Sequence, residues 1–484
     1  MMLPFPEYAP DIADYNGAFT RTATNVVPRG DGYGPFKAHA VYSSALPAAC
    51  RGFFYARRTD GTVVVFAGTS TRLYLMSNTD FSWSDVSKGG AAYTALSSTA
   101  QWQFAQFGNL VIAAQPNVPP QAFDLTSPTA FVDLGGSPPQ AGGVAVVGRF
   151  LVLFNLLSNP YRVQWSGLNA TTTWTPGVNS ADFQDLPDGG AVRGVAGGEF
   201  GHIFQDSTIR RMIYVPGSPV IFQIERVAED KGLLAPYALI RAGERVFFPS
   251  AQGFHVITGG GAPVPIGKEK FDRTFLADYD TGSPQLLIGA ADPAQTRVYW
   301  AYKSLSGATG LFDKLLAYDY ALNRATTINV AGEYLSSLAR PGVTLESLDS
   351  VSGSLDALSF SLDDVSVAAL ARLSAVNSAH RLGFFSADNL EATIDTAEQS
   401  DGRRVRVKGF RPITDAATCF GAISARETAQ AAPRYSAEQR VDARGLCPAN
   451  VSTRLARGRI RIPAATAWTY ATGVEPEFAP EGRR

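Results

Sequence analysis

The residues of this chain that could support acid–base or nucleophilic chemistry are few and scattered. Its four histidines, His39, His202, His255 and His380, lie far apart, and no G-x-S-x-G turn is present to hold a serine nucleophile. His202 and His255 fall inside strand-like segments, where a structural histidine is the favoured interpretation. The sequence therefore predicts no catalytic residues and no enzyme activity.

Metal and cofactor sites are equally poorly signalled. Cys50, Cys419 and Cys447 show no C-x-x-C spacing and have no nearby histidine, and their odd number argues against a disulfide framework. The glycine-rich stretch 259–268, GGGAPVPIGK, differs from a phosphate-binding loop in its spacing, and Glu269 stands where Ser or Thr is required. We predict a turn there, no metal and no cofactor.

Two rows of basic residues stand out in the sequence because they alternate with apolar residues. The first row is Arg403, Arg404, Arg406 and Lys408, and the second is Arg457, Arg459 and Arg461. The simpler interpretation is that both rows lie on a solvent-exposed face of a sheet. The sharper hypothesis is an interface for an acidic partner or for DNA phosphates. Under that hypothesis, replacing the second row with serine impairs assembly or binding and leaves the fold intact.

The composition favours an all-β fold. Aromatic residues make up 11% of the 484 residues, and the chain contains 46 Gly and 30 Pro. The net charge is −1, yet residues 401–484 carry 15 Lys+Arg and 8 Asp+Glu, a net of +7 that leaves −8 on residues 1–400. The N-terminus lacks the pattern of a signal peptide, and no apolar run is long enough to span a membrane. We expect a protein that is made in a cytoplasm.

A strand–turn–strand–turn–strand unit recurs along the chain. In residues 101–125, QWQFAQFGNLVIAAQPNVPPQAFDL, a Gly108-Asn109 turn separates the first two strands. The equivalent positions of the third strand are Leu75, Phe123, Gln164, Met212, His255 and Tyr318. Four of their five spacings lie in the range of roughly 40 to 50 residues that is typical of propeller blades.

These repeats predict a β-propeller of about six blades over residues 40–330. A two-sheet sandwich or a pair of β domains is the alternative that short strands also allow. Residues 1–39 are predicted to be an extended arm that lies along a neighbour. Residues 331–484 are predicted to be an additional β-rich region that could close the ring and form part of an interface. Within it we expect a connection at 345–366 and a short helix at 367–376.

Several stretches resemble the tail nozzle family of short-tailed bacteriophages, also called tail tubular protein B or packaged-DNA stabilisation protein. These are YNGAFTRTATNVVPRGDGYGPF at 15–36, VQWSGLNATTTW at 163–174, ERVFFPSAQGFHVITGGGAPVPIG at 244–267, and GRIRIPAATAWTYATGV followed by EGRR at the C-terminus. The resemblance runs along most of the chain but supplies no residue-level site.

The resemblance implies a structural virion protein that is assembled in the host cytoplasm, and it makes the interface of residues 331–484 a tail interface. Such nozzles are propeller proteins arranged as six copies around a channel below the portal and adaptor rings. They retain packaged double-stranded DNA, form the ejection channel and anchor tail fibres or spikes. The expected partners are therefore further copies of the chain, an adaptor protein, fibre or spike proteins, and DNA bound without sequence specificity.

Two other functions remain open. One is a propeller-type carbohydrate-binding or glycan-degrading tail protein, because paired carboxylates are plentiful and their sequence positions do not show which of them face each other. No S-x-D-x-G-x-T-W boxes of the sialidase kind are present. Asp363 and Asp364, in a serine-rich stretch, are interpreted as a solvated turn. The other function is a generic propeller scaffold with partners outside any virion.

Overall fold

The computed structural model describes residues 2–13, 18–339, 371–400 and 402–480. Within them, Asp272–Asp278 is the one α-helix, and short 3-10 turns lie at Lys88–Gly90, Pro187–Gly189, Pro284–Leu286 and Pro293–Gln295. Nearly all other regular structure is β-strand. The all-β propeller prediction is confirmed.

Seven four-stranded antiparallel blades can be traced in the described residues. Blade 1 consists of Phe53–Arg57, Val63–Gly68, Leu73–Met76 and Trp83–Asp85, and blade 2 of Gln103–Phe107, Leu110–Gln115, Val118–Asp124 and Val132–Asp133. Blade 3 consists of Ala141–Val147, Phe150–Leu156, Arg162–Trp165 and Asp182–Asp185, and blade 4 of Val192–Ala196, Gly201–Gln205, Ile209–Tyr214 and Phe222–Ala228. Blade 5 consists of Ile240–Ala242, Arg245–Ser250, Gly253–Thr258 and Val264–Pro265, and blade 6 of Ile288–Asp292, Arg297–Tyr302, Phe312–Asp319 and Arg324–Gly332. Blade 7 consists of Tyr334–Ala339, Ala371–Val376, Arg381–Asn389 and Lys37–Ala45.

Blade 2 shows why this sequence folds into such units. Gly108 adopts a φ of +57° in the turn between the first two strands, a conformation that costs glycine little. The second strand, Leu110–Gln115, is almost wholly buried, because both faces of a blade pack against neighbouring blades. This burial explains why the sequence shows a continuous apolar run there rather than alternation.

Hydrophobic cores between successive blades close the ring. Phe66 of blade 1 packs with Phe123 of blade 2, and comparable clusters join each blade to the next. The last cluster brings Phe53 and Val65 of blade 1 against Leu338 and Phe384 of blade 7. Because the outer strand of blade 7 comes from Lys37–Ala45, the two ends of the propeller sequence are joined within one sheet.

The sequence estimate of about six blades is therefore one short, and blade 7 lies beyond the predicted boundary at residue 330. The six third-strand positions chosen from the repeats do fall in the third strands of blades 1 to 6. Blade 7 escaped the repeat pattern because its strands come from two distant parts of the chain.

The predicted helix at 367–376 is wrong for its described part, since Ala371–Val376 is a strand. Both of its edges are paired, with Tyr334–Ala339 on one side and with Arg381–Asn389 on the other. Apolar residues at helical spacing occur in a doubly buried strand as well, so the spacing did not discriminate between the two. The predicted connection at 345–366, with Asp363 and Asp364, lies outside the described residues.

The remaining strands form a β-sandwich, which we call the C-terminal sandwich. Its first sheet has the order Cys447–Thr453, Val405–Thr414, Ala471–Pro480, Gly32–Pro35 and Val26–Arg29, with Leu3–Pro4 also paired to Ala471–Pro480. Its second sheet has the order Ala23–Thr24, Ala392–Asp395, Leu455–Ile462, Phe420–Arg426 and Arg434–Tyr435, with Gln439–Arg440 also paired to Phe420–Arg426. A further parallel pair joins Glu7–Tyr8 to Phe19–Thr20.

The sandwich is fused to the propeller rather than tethered to it. Thr24 pairs with Thr327 in the outer strand of blade 6 and with Thr393 of the sandwich, so one sheet continues from the propeller into the sandwich. Phe410 from the first sheet and Ile460 from the second share a hydrophobic core with Trp300 of blade 6. This continuity makes the two parts one packed unit.

The described residues of the predicted N-terminal arm pack against their own chain. The prediction had placed this arm along a neighbouring copy. Phe5 and Tyr8 are buried in the core between propeller and sandwich. The Asp11 carboxylate accepts hydrogen bonds from the backbone N–H groups of Arg273 and Thr274, at 2.8 and 2.9 Å. The segment is therefore an integral part of the junction.

Candidate functional site

The first basic row lies on an exposed face of the C-terminal sandwich. Arg406 and Lys408 project from the strand Val405–Thr414 to solvent, whereas Val407 between them is buried. This is the alternation expected from the pleat of a strand. Arg403 and Arg404, just before the strand, are also exposed, so all four basic residues of the row face solvent.

The contacts of this row are those of surface charges. The Nε of Arg406 donates to Asn450 Oδ1 on the adjacent strand at 2.8 Å. Arg404 lies 3.3 Å from Glu427, with both side chains about half exposed. Exposed pairs of this kind contribute little to stability, so these charges can engage another surface at low cost.

The second basic row is turned onto carboxylates of its own chain. Arg459 binds Asp395 with two hydrogen bonds, Nε to Oδ1 at 2.7 Å and Nη2 to Oδ2 at 2.9 Å, and its guanidinium lies 3.8 Å from the centre of the Tyr435 ring. Arg457 Nη1 is 3.8 Å from the same carboxylate, which is fully buried. Although burial opposes it, the contact with Asp395 raises the pKa of Arg459.

Arg461 completes this internal network. Its Nη1 and Nε donate to Glu391 and Glu438 at 2.9 and 2.8 Å, and its guanidinium lies over Phe420. In contrast to the prediction from the sequence, we therefore expect serine substitutions in this row to destabilise the fold, because they would leave a buried carboxylate uncompensated. The interface hypothesis is kept for the first row only.

The axis of the propeller holds a cavity of about 260 Å³. Residues from all seven blades, or from the connections that lead into them, line it, among them Phe54, Phe104 and Tyr334. Tyr237 spans this space: its hydroxyl accepts a hydrogen bond from the backbone N–H of Gln101 at 2.8 Å, and its carbonyl accepts one from Gly289 at 2.9 Å. Tyr237 belongs to the connection before blade 5 and Gln101 lies at the start of blade 2, so the side chain crosses the axial space between them.

The histidines considered as catalytic candidates lie apart from one another in the fold and have structural roles. His202 is buried on the second strand of blade 4, and burial together with the charges of Arg211 and Arg241 lowers its pKa to about 4. His255 packs against the ring of Phe248 in blade 5. Among the residues that the structure describes, no group of three or more His, Cys, Asp or Glu side chains is arranged to hold a metal ion.

Other sequence features have plain structural positions. Gly259 and Gly260 of the loop that resembles a phosphate site form the turn after the third strand of blade 5, both with positive φ. The three cysteines are buried and unpaired with one another. Over the described ranges, no helix is long and apolar enough to cross a membrane.

Three of the four stretches that resemble the nozzle family meet in a single hydrophobic core. Val26 and Tyr33 come from the stretch at 15–36, Phe247 and Phe254 from 244–267, and Trp468 from the C-terminal stretch. Direct contacts join two of these stretches. Tyr33 pairs with Ala471 in one sheet, and Arg29 Nη1 donates to the carbonyl of Thr469 at 3.2 Å. These segments together build the junction of propeller and sandwich, and no sequence pattern had indicated this.

Comparison with known proteins supports no family. No protein-family model and no curated protein matches the chain. Among solved structures, the WD40 repeats of RRP9 are similar at 9% identity and a TM-score of 0.38 over 62% of this chain and 89% of that one. A chain of the mitotic checkpoint complex is similar at 11% identity and a TM-score of 0.38, over 72% and 97%.

The dihydro-heme d1 dehydrogenase NirN, in complex with DHE, is similar at 17% identity and a TM-score of 0.32. That likeness covers 62% of this chain and 59% of NirN, so this chain spans less than two thirds of that protein's length. At such identities the likenesses concern the fold alone.

Proposed function

We propose that this protein is a structural component of a bacteriophage tail, a nozzle subunit that attaches below the portal and adaptor rings. In this role it retains packaged DNA, continues the ejection channel and carries fibre or spike proteins. The observation that carries the proposal is the shared core of three stretches that resemble nozzle proteins, at the junction of propeller and sandwich. We propose no catalytic activity.

The obstructed propeller axis fits this role in a specific way. A duplex cannot pass through an axial cavity of about 260 Å³ that Tyr237 crosses. The DNA path of the proposed nozzle therefore runs between copies of the chain, along the axis of the assembly. The rigid fusion of sandwich and propeller through Thr24 and Thr327 suits a subunit that must withstand the pressure of packaged DNA.

The proposal is tested in the phage that encodes the chain, by an early stop codon in its gene. We expect particles from a non-suppressing host to lose their DNA after packaging, seen as empty heads by electron microscopy and as DNA that nuclease degrades. Particles from a suppressing host are the matched control and should be filled. Filled, infectious particles that lack the chain would overturn the proposal.

A further inference from the structure

A second cavity opens between blades 6 and 7, well away from the propeller axis, and has a volume of about 490 Å³. Its walls come from the turn between the first two strands of blade 6, from two strands of blade 7, and from the segment that leads into Lys37–Ala45. None of these walls belongs to the basic face of the sandwich.

A buried carboxylate lies in the wall of this cleft. Asp292 is only 5% exposed, and its Oδ1 accepts no hydrogen bond from any residue that the structure describes. Burial raises the pKa of this carboxyl, and the backbone N–H of Leu373 and the charges of Arg297 and Arg372 oppose the shift. A buried acceptor without a donor is costly, so a donor that enters the cleft would be favoured.

The cations of the cleft fall into two kinds. Arg297 is engaged by its own chain, because its Nε contacts Asp319 Oδ2 at 3.2 Å and its Nη2 donates to the carbonyl of Pro28 at 3.2 Å. Arg372 and Lys37, in contrast, are exposed at the rim. The rim therefore presents two positive charges above a single negative group in the wall.

An aromatic surface completes the cleft. Phe36 lies between Tyr299 and Phe385, with ring centres 6.2 and 5.1 Å apart. Phe36 and Tyr299 are buried, whereas Phe385 is partly exposed within the cleft. Its ring offers a flat surface to the polarised C–H groups of a ligand.

We propose that this cleft binds an acidic sugar residue, such as a uronic acid of a polysaccharide. The sugar carboxylate would pair with Arg372 and Lys37, a sugar hydroxyl would donate towards Asp292, and the C–H face of the ring would pack on Phe385. Two rim cations disfavour a cationic ligand, and the carboxylate in the wall disfavours a phosphate dianion. A volume of this size accommodates one or two sugar rings.

The test is isothermal titration of the full chain with trigalacturonic acid, with maltotriose as the neutral trisaccharide. We expect binding of the acidic trisaccharide only. Arg372→Gln, a surface substitution, should weaken it about tenfold, because a charge-assisted contact is lost. Asp292→Ala is the second variant, and it should also weaken binding because it removes the acceptor for the sugar hydroxyl. Arg381→Gln is the matched control, an exposed arginine of blade 7 outside the cleft.

Three results would overturn the proposal. They are no binding at millimolar trisaccharide, unchanged affinity in Arg372→Gln, and equal binding of maltotriose. Displacement of the trisaccharide by inorganic phosphate at equal concentration would show an unselective anion site and would also contradict it. The outcome is independent of whether the phage requires the chain to retain its DNA.

Discussion

At the scale of single residues, the chain contains two rows of arginines that look alike in sequence and differ in structure. Alternation correctly placed Ile460 and Ile462 in the core and their arginine neighbours on the other face. It could not show that this other face is covered by Asp395, Glu391 and Glu438, because nothing local in the sequence ties those acids to the strand Leu455–Ile462. Only the fold therefore distinguishes the exposed row around Arg406 from the internal row around Arg459.

Replacing Asp395 with asparagine should lower the free energy of unfolding by about 3 to 5 kcal/mol, because two arginines would lose their buried counter-charge. Urea denaturation followed by circular dichroism measures this difference. The control is Asp31→Asn, which removes an exposed pair with Arg29 and should cost less than about 1 kcal/mol. Equal stability of the two variants would contradict the internal role of the second row.

His202 gives the fold a pH dependence whose sign can be stated. Its folded pKa, about 4, lies below that of an unfolded histidine, about 6.5, so the unfolded chain binds the extra proton between these values. Stability should therefore fall as the pH decreases from about 6.5 to 4, by about 3 kcal/mol for this one group.

The variant His202→Phe removes this titration, and its neighbours Phe200 and Phe204 favour an aromatic replacement. We expect the difference in unfolding free energy between variant and wild type to grow in favour of the variant between pH 6.5 and 4. A constant difference across that range, measured by urea denaturation at several pH values, would contradict the buried neutral state of His202.

At the scale of elements, the repeat pattern identified the third strand of each of six blades. Third strands such as Ile209–Tyr214 have the clearest flanking turns, and therefore the most visible period. Outer strands such as Val132–Asp133 are short and exposed, so they leave little trace in the sequence. Blade 7 could not be predicted from spacing, because pairing between residues 37–45 and 381–389 depends on ring closure.

The closure of blade 7 on blade 1 includes a buried polar contact. Glu333 is 6% exposed, accepts a hydrogen bond from the backbone N–H of Cys50 at 2.9 Å, and lies 2.6 Å from His380 Nδ1. Replacing Glu333 with alanine should cost about 2 to 4 kcal/mol, since a buried donor loses its acceptor.

Hydrogen exchange shows which blades lose stability in the Glu333→Ala variant. Amide protection should fall most in blades 1 and 7 and least in blades 3 and 4, which lie across the ring. The control is Glu244→Ala, in an exposed turn of blade 5, which should leave protection unchanged. A uniform loss of protection around the ring in Glu333→Ala would contradict a local role in closure.

At the scale of the whole molecule, the first basic row is an exposed surface that suits assembly with another protein. Replacing Arg403, Arg404, Arg406 and Lys408 with serine should preserve the melting temperature and weaken association with the adaptor ring or with other copies. A matched variant replaces Arg440 and Arg444, exposed basic residues elsewhere in the same sandwich. Sedimentation of each variant with the adaptor would reveal the difference, and equal association in both variants would contradict the interface hypothesis.

The central claim, that this propeller works as a ring-forming nozzle subunit, is tested most directly by electron microscopy of the purified protein, alone and with its cognate adaptor ring. We predict doughnut-shaped subunits, each with a sandwich on its flank, that join into a sixfold annulus beneath the adaptor around an open axis. Single doughnuts that ignore the adaptor would contradict the nozzle function and would leave the propeller with a binding role of another kind.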